Sequence, residues 1–236
     1  MSDFDRNVAA FPGAARTVAV DAGLRAHMIR VYNYMAGGVA LTGFVAYFTN
    51  AQFGQALYGS PLMYVLIFAP LALVFFLSWR IDRLAASTAR ALFFVYAALL
   101  GASLSIIFAV YTDASITRVF FISAAAFGGL SLWGYTTQRD LTGMGSFLMM
   151  GLIGIIIASL VNIFLKSSGL DWIISIIGVI VFAGLTAWDT QKIKEMYDVN
   201  DDGTVSGRKA VMGALSLYLD FINLFLMLLR LFGDRR

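Results

Sequence analysis

The sequence predicts an all-α, polytopic membrane protein, and three observations carry that prediction. Of 236 residues, 60% are hydrophobic and only 13% are charged, with a mean hydropathy of +0.80. A soluble domain is near half apolar and about a quarter charged, so this excess is too large for a water-soluble core. Second, the apolar residues gather into helix-length runs at 31–49, 62–79, 91–111, 119–137, 145–165, 172–188 and 211–229. A helix needs about 20 residues to cross a hydrocarbon layer about 30 Å thick, so these segments qualify or come close. Third, lysine and arginine fall on alternate connections.

Residues 1–30 hold Arg6, Arg16, Arg25 and Arg30 without a continuous apolar run. A signal peptide needs an apolar stretch of about 7–15 residues, so this segment is expected to be a loose or surface-lying cytoplasmic lead-in. Residues 31–233 then form one seven-helix domain, because the connections are short. Pro70 should kink the second segment, which membrane helices tolerate. The pairs Gly101/Ser105 and Ala124/Gly128 put small residues four apart, which permits close helix packing.

With the N-terminus inside, the cytoplasmic pieces hold Arg6, Arg16, Arg25, Arg30, Arg80, Arg83, Arg90, Arg139, Lys192, Lys194, Arg208 and Lys209, and the outer loops only Arg118 and Lys166. Trp79, Trp133, Trp172 and Trp188 fall near segment ends, as an aromatic belt requires. The seventh segment breaks the pattern, since a full crossing puts Arg230, Arg235 and Arg236 outside. Either that tail is an exception or the segment is re-entrant. Its apolarity suits a full helix, and spanning is the expectation.

Some chemistry is excluded outright. There is no cysteine, hence no disulfide, thiolate metal site or thiol nucleophile. His27 is the sole histidine, which removes histidine-rich zinc sites and Ser-His triads. No enzymatic site, bound cofactor or nucleic-acid partner is expected.

The last segment carries Asp220 inside 216-SLYLDFINLFLMLLRLF-232. At about 100° per residue, Gly213, Ser216, Asp220, Asn223 and Met227 share one narrow sector. A carboxylate at the centre of a membrane helix costs about 2.5–3.5 kcal/mol on insertion scales, so such residues face the interior and mark ion or proton pathways. The alternative is a structural aspartate capped by neighbouring polar side chains. Asp189 ends the sixth segment, sharing a face with Gly178, Phe182 and Thr186; by spacing alone it could equally be an interfacial charge. If the two carboxylates meet, they cannot both ionise cheaply and titrate as one unit, making a proton-sensitive gate that also attracts cations. Arg80, at similar depth to Asp189, is either a latch for a carboxylate or a snorkelling anchor. Spacing leaves a gap, because Asp220 sits about 15 Å along its helix by rise per residue whereas Asp189 sits near the interface.

The loop 198-DVNDDGTVSGRK-209 matches the first half of a calcium-binding EF-hand loop, with Asp198, Asn200, Asp202 and Gly203 in place. Its twelfth position, which should be a bidentate Glu, is Lys209, so the loop is read as a solvated turn.

The stretches 134-GYTTQRDLTGMGSFLMMGLIGIIIASLVNIF-164, 184-GLTAWDTQKIKEMY-197 and 213-GALSLYLDFINLFLMLLRLFG-233 resemble the Bax inhibitor-1 family, in its bacterial inner-membrane branch. The resemblance covers almost the whole chain. It implies six helices wrapped around a central, fully spanning seventh. It also implies a pH-sensitive calcium leak, with calcium as permeant ion and transient ligand. The family's proton-sensing aspartates fall on Asp189 and Asp220, and its latch arginine best matches Arg80. Bacterial relatives bind a membrane-bound ATP-dependent protease, and eukaryotic relatives modulate cell death and endoplasmic-reticulum calcium. A non-conducting adaptor for a protease or translocon is the competing expectation. An intramembrane aspartyl protease is a remote one, since no glycine precedes Asp220 in 217-LYL-219 and the only prolines are Pro12, Pro61 and Pro70. A retinal-type pump is excluded because the last helix has no Schiff-base lysine.

Overall fold

The computed structural model describes the backbone of residues 12–236 and side chains from Ala22 onward; Arg6 and the side chain of Arg16 lie outside the described residues. The chain folds as α1 (Pro12–Leu57), α2 (Pro61–Arg80), a 3-10 turn (Ile81–Arg83), α3 (Ala86–Leu104), α4 (Ile107–Val110), α5 (Asp113–Thr136), α6 (Thr142–Leu165), α7 (Ser168–Glu195) and α8 (Gly203–Phe232). Among the described residues the one β-type pairing is an isolated bridge between Tyr111 and Arg235.

Local chemistry sets the helix starts. Pro61 opens α2 from Ser60, where a missing N–H costs nothing. Thr112, Ser167 and Asp202 cap α5, α7 and α8, each side-chain oxygen accepting from a first-turn N–H. The α6–α7 turn is tight, with Lys166 held in the left-handed region at φ 49°.

Several boundaries differ from the hydropathy reading. The 12–30 stretch is not a loose lead-in but the first part of α1, which at 46 residues is about 69 Å long and must protrude from any bilayer. Hydropathy misses these turns because their polar and charged residues hide an uninterrupted helix. The 91–111 segment divides into α3 and α4 at Ser105, whose hydroxyl bonds back to Ala102 O. α2 continues through Pro70 as one helix. Six stretches among the described residues, α2 with its 3-10 turn, α3 joined to α4, and each of α5, α6, α7 and α8, are long and apolar enough to cross a membrane. α1 falls short of that measure because Tyr32, Asn33 and Tyr34 dilute its apolar run.

α8 packs against α1, α3, α5 and α7, while α2 packs on α3 and α6 on α7. In α8, 72% of the apolar window is buried, against 11% in α6. The outer faces of α2 and α6 instead present Phe75, Phe76, Phe147 and Phe164, which suits a lipid solvent. Tyr218 illustrates the core around α8. It is fully buried, its hydroxyl lies 2.6 Å from Thr42 Oγ1, and that oxygen donates to Ala97 O at 2.9 Å, tying α8, α1 and α3 together. Phe93 and Tyr96 meet its ring edge-on. The two small-residue pairs behave differently. A Cβ at Gly101 would crowd the Thr42 backbone of α1, whereas Gly128 faces open space.

α8 is not re-entrant. At its start, Arg208 donates to Asp82 O and Gly207 lies against Ala86, beside the α2–α3 connection. At its end the tail reaches the opposite face of the bundle: Thr112 N donates to Asp234 O at 3.0 Å and Arg236 N to Val110 O at 2.9 Å. The outlying cations of that tail are matched by acids. Arg230 and Arg235 pair with Asp171, and Arg236 with Asp113.

Candidate functional site: a carboxylate-lined cavity between α6, α7 and α8

The packing of α7 against α8 is antiparallel, and its register is readable from two glycines. Gly213 on α8 lies against Ile193 of α7, and Gly178 on α7 lies against Met227 of α8. Between these contacts Asp220 falls within about a turn of Asp189. The gap expected from spacing is closed because both helices extend past their apolar runs. α7 continues to Glu195, so Asp189 is an interior position of a helix and not its end.

The two carboxyls line one cavity of about 520 Å³. Asp220 is 5% exposed, and its Oδ2 is buried without a hydrogen-bond partner among the described residues. Asp189 is half-buried. From the expected stripe, Ser216, Asn223 and Met227 also line the cavity, whereas Gly213 does not and packs on α7 instead. Asn223 donates from Nδ2 to Leu219 O at 2.8 Å. Phe182 and Leu185 supply the α7 wall.

Sequence reasoning missed the α6 wall. Met149, Leu152, Ile155, Ile156, Ser159, Leu160 and Ile163 close the cavity on that side, with Ser159 as its hydroxyl. The only signal was Ser159 itself, one of three polar side chains, with Ser146 and Asn162, in the 145–165 run. Ile156, Leu160 and Ile163 are each more than half exposed, so the cavity opens sideways between α6 and α8.

Arg80 is not part of this constellation. It is exposed at the end of α2, and it makes no ion pair with either aspartate among the described residues. Lys192 lies less than a turn along α7 from Asp189 and sits 4.9 Å from the Trp188 ring centroid. A hydroxyl chain flanks the site: Tyr32 to Ser131 at 2.5 Å, then Ser131 to Thr190 at 2.9 Å. It joins α1 and α5 to α7 at the residue following Asp189.

The calcium-loop lookalike spends its groups locally. Asp202 caps α8, Asp201 pairs with Lys209 at 2.5 Å, and Asp198 accepts from Asn200, which holds the Asp198 carboxyl below its ordinary range. Neither there nor elsewhere among the described residues do three or more His, Asp or Glu side chains gather where they could hold a metal ion.

Residues 24–236 match the family described as "Inhibitor of apoptosis-promoting Bax1". The chain is 50% identical to the inner membrane protein YbhL of Escherichia coli K12, over 96% of this chain and 99% of that protein. It is also 50% identical to a protein of Rickettsia prowazekii, over 92% of both chains. A Caulobacter vibrioides protein is 44% identical over the whole of both.

Proposed function

The chain belongs to the Bax inhibitor-1 family of membrane proteins, and on that premise we propose that it is a pH-sensitive calcium leak of the bacterial inner membrane, gated by Asp189 and Asp220. The observation that supports this reading is the pair itself, two carboxyls in one apolar-walled cavity with a buried, unpartnered Asp220 oxygen. With one proton between them, the two groups form a hydrogen-bonded unit that tolerates poor solvation. Without it, two like charges either push α7 and α8 apart or draw in a cation. Calcium takes six to eight oxygen ligands, and Ser159, Ser216 and Asn223 add neutral oxygens beside the carboxylates. Protons and calcium therefore compete for the same atoms.

In this reading the 31–49 part of α1 is a seventh crossing, and the other helices surround α8. The N-terminus is cytoplasmic, because the end of the bundle that carries Arg80, Arg83, Arg139, Lys192, Lys194 and Arg208 is the more basic one. The C-terminus then lies outside. A latch role for Arg80 requires α2 to take a different position from the one described.

The test is calcium entry into liposomes carrying the purified protein and a calcium-sensitive dye. Entry above that of empty liposomes, varying with pH, is expected. Entry equal to empty liposomes, with a membrane-bound protease co-purifying, would assign the adaptor role instead.

A further inference from the structure

At the end of the bundle that carries the C-terminus, a second cavity of about 390 Å³ is lined by Lys166, Arg230, Arg235, Asp171 and Trp172, among others. Three cations face one carboxylate. The Asp171 contacts to Arg230 and Arg235 are 3.6 and 4.0 Å, longer than the 2.7–2.9 Å of a committed charge-assisted hydrogen bond. Both guanidinium groups therefore keep donors for another anion. Lys166 has no ion-pair partner among the described residues, and the tight α6–α7 corner fixes it at the rim. Trp172 beside it is 61% exposed, the position of an interfacial anchor at headgroup level.

This basic pocket and the aspartyl cavity lie along the same seam between α6 and α8. Asn162 lines the first and Ile163 the second. Below the cations, Ile163, Leu160 and Ile156 form an outward-facing apolar wall. From Arg230 down to Asp220 the helix rise gives about 15 Å. That is half of a hydrocarbon core about 30 Å thick, the depth that the acyl chain of one leaflet covers.

We propose that this seam is a binding site for an anionic glycerophospholipid, with its phosphate held by Lys166, Arg230 and Arg235 and one acyl chain lying along α6 to the mouth of the aspartyl cavity. A free phosphate needs only the cations. The apolar wall continuous with them is what selects a lipid, and the excess positive charge is what selects an anionic one. The site stands whether or not the cavity conducts ions.

The experiment is native mass spectrometry of the full-length protein in detergent, with dioleoyl phosphatidylglycerol, dioleoyl phosphatidylcholine or inorganic phosphate added. A single phosphatidylglycerol should be retained under conditions that strip phosphatidylcholine, and millimolar phosphate should not displace it. Arg235→Gln and Arg230→Gln should each weaken retention about fivefold, with Arg→Lys restoring most of it. Leu160→Trp fills the seam without touching charge and should weaken retention too, so the test survives if Arg230→Gln misfolds. Equal retention of the two lipids, displacement by phosphate, or full retention in both Arg235→Gln and Leu160→Trp would overturn the proposal.

Discussion

Asp189 on α7 and Asp220 on α8 line the same cavity, and glycines of α5 and α6 seat α7 at the two residues just before Asp189. A side chain at Gly134 of α5 would overlap the carbonyl oxygen of Ala187, and one at Gly145 of α6 would overlap the Trp188 indole. These two close approaches hold the residues just before Asp189 against its neighbours and fix how far along α7 the carboxyl sits.

Gly134→Val is therefore expected to displace α7, at a cost at the upper end of the about 1–3 kcal/mol typical of overpacking. Gly128→Val on the same helix enters open space and should be near neutral. Thermal unfolding of both variants in one detergent checks the contrast. Equal effects would mean that the α5–α7 contact does not set the position of α7.

Tyr218→Phe removes the hydroxyl that meets Thr42 and should cost about 0.6 kcal/mol, the mean for interhelical hydrogen bonds in a membrane, and at most about 1.7 kcal/mol. Thr42→Val should cost more, because it also removes the donor to Ala97 O. Unfolding in mixed micelles measures both, and the order of the two is the prediction.

The proposed topology, with the N-terminus inside and the C-terminus outside, can be read by fusions. A reporter active only outside the cytoplasm should work on the C-terminus and fail on the N-terminus. Asp171→Asn should change stability by less than about 1 kcal/mol, because its arginine partners are solvent-exposed.

His27 supplies a pH prediction apart from the aspartates. It is 3% exposed, its ring lies 5.8 Å from that of Tyr197, and neither nitrogen has a partner among the described residues. Burial first, then Arg30 and Lys209, lower its pKa from 6.5, with Asp201 opposing. An opened form has the ordinary value and binds the proton first. The closed contact is thus fully stable above about pH 6.5 and weakens as pH falls below it. Amide exchange near residues 24–31 and 197–201, once divided by the intrinsic base-catalysed rate at each pH, should show protection falling from pH 7 to 5, and His27→Phe should remove that dependence.

Much of this was legible in the sequence for a physical reason. Lipid forces apolar runs of a fixed length, so α2, α6 and α8 stand out, and a charge in such a run has to face inward, so Asp220 announces its stripe. Hydropathy could not see α1 before residue 31 or α7 beyond residue 188, because helices that leave the apolar layer keep their hydrogen bonds and lose their apolar signal. The partnership of Asp189 with Asp220 depends on register, which Gly134, Gly145, Gly178 and Gly213 set through contacts with distant residues. Ser159 shared its run with Ser146 and Asn162 and did not stand out, Lys192 carried no distinguishing pattern, and Arg80 was placed by its depth and by the family resemblance, neither of which says which side of the bundle a residue occupies.

The most direct measurement of the central claim is the pH profile of calcium flux through liposome-reconstituted wild-type protein, Asp189→Asn and Asp220→Asn. If the two carboxyls gate the pathway as one unit, each single substitution removes the pH dependence, and the double substitution adds little to either. If Asp220→Asn leaves both the flux and its pH dependence as in the wild type, the pair is not the gate.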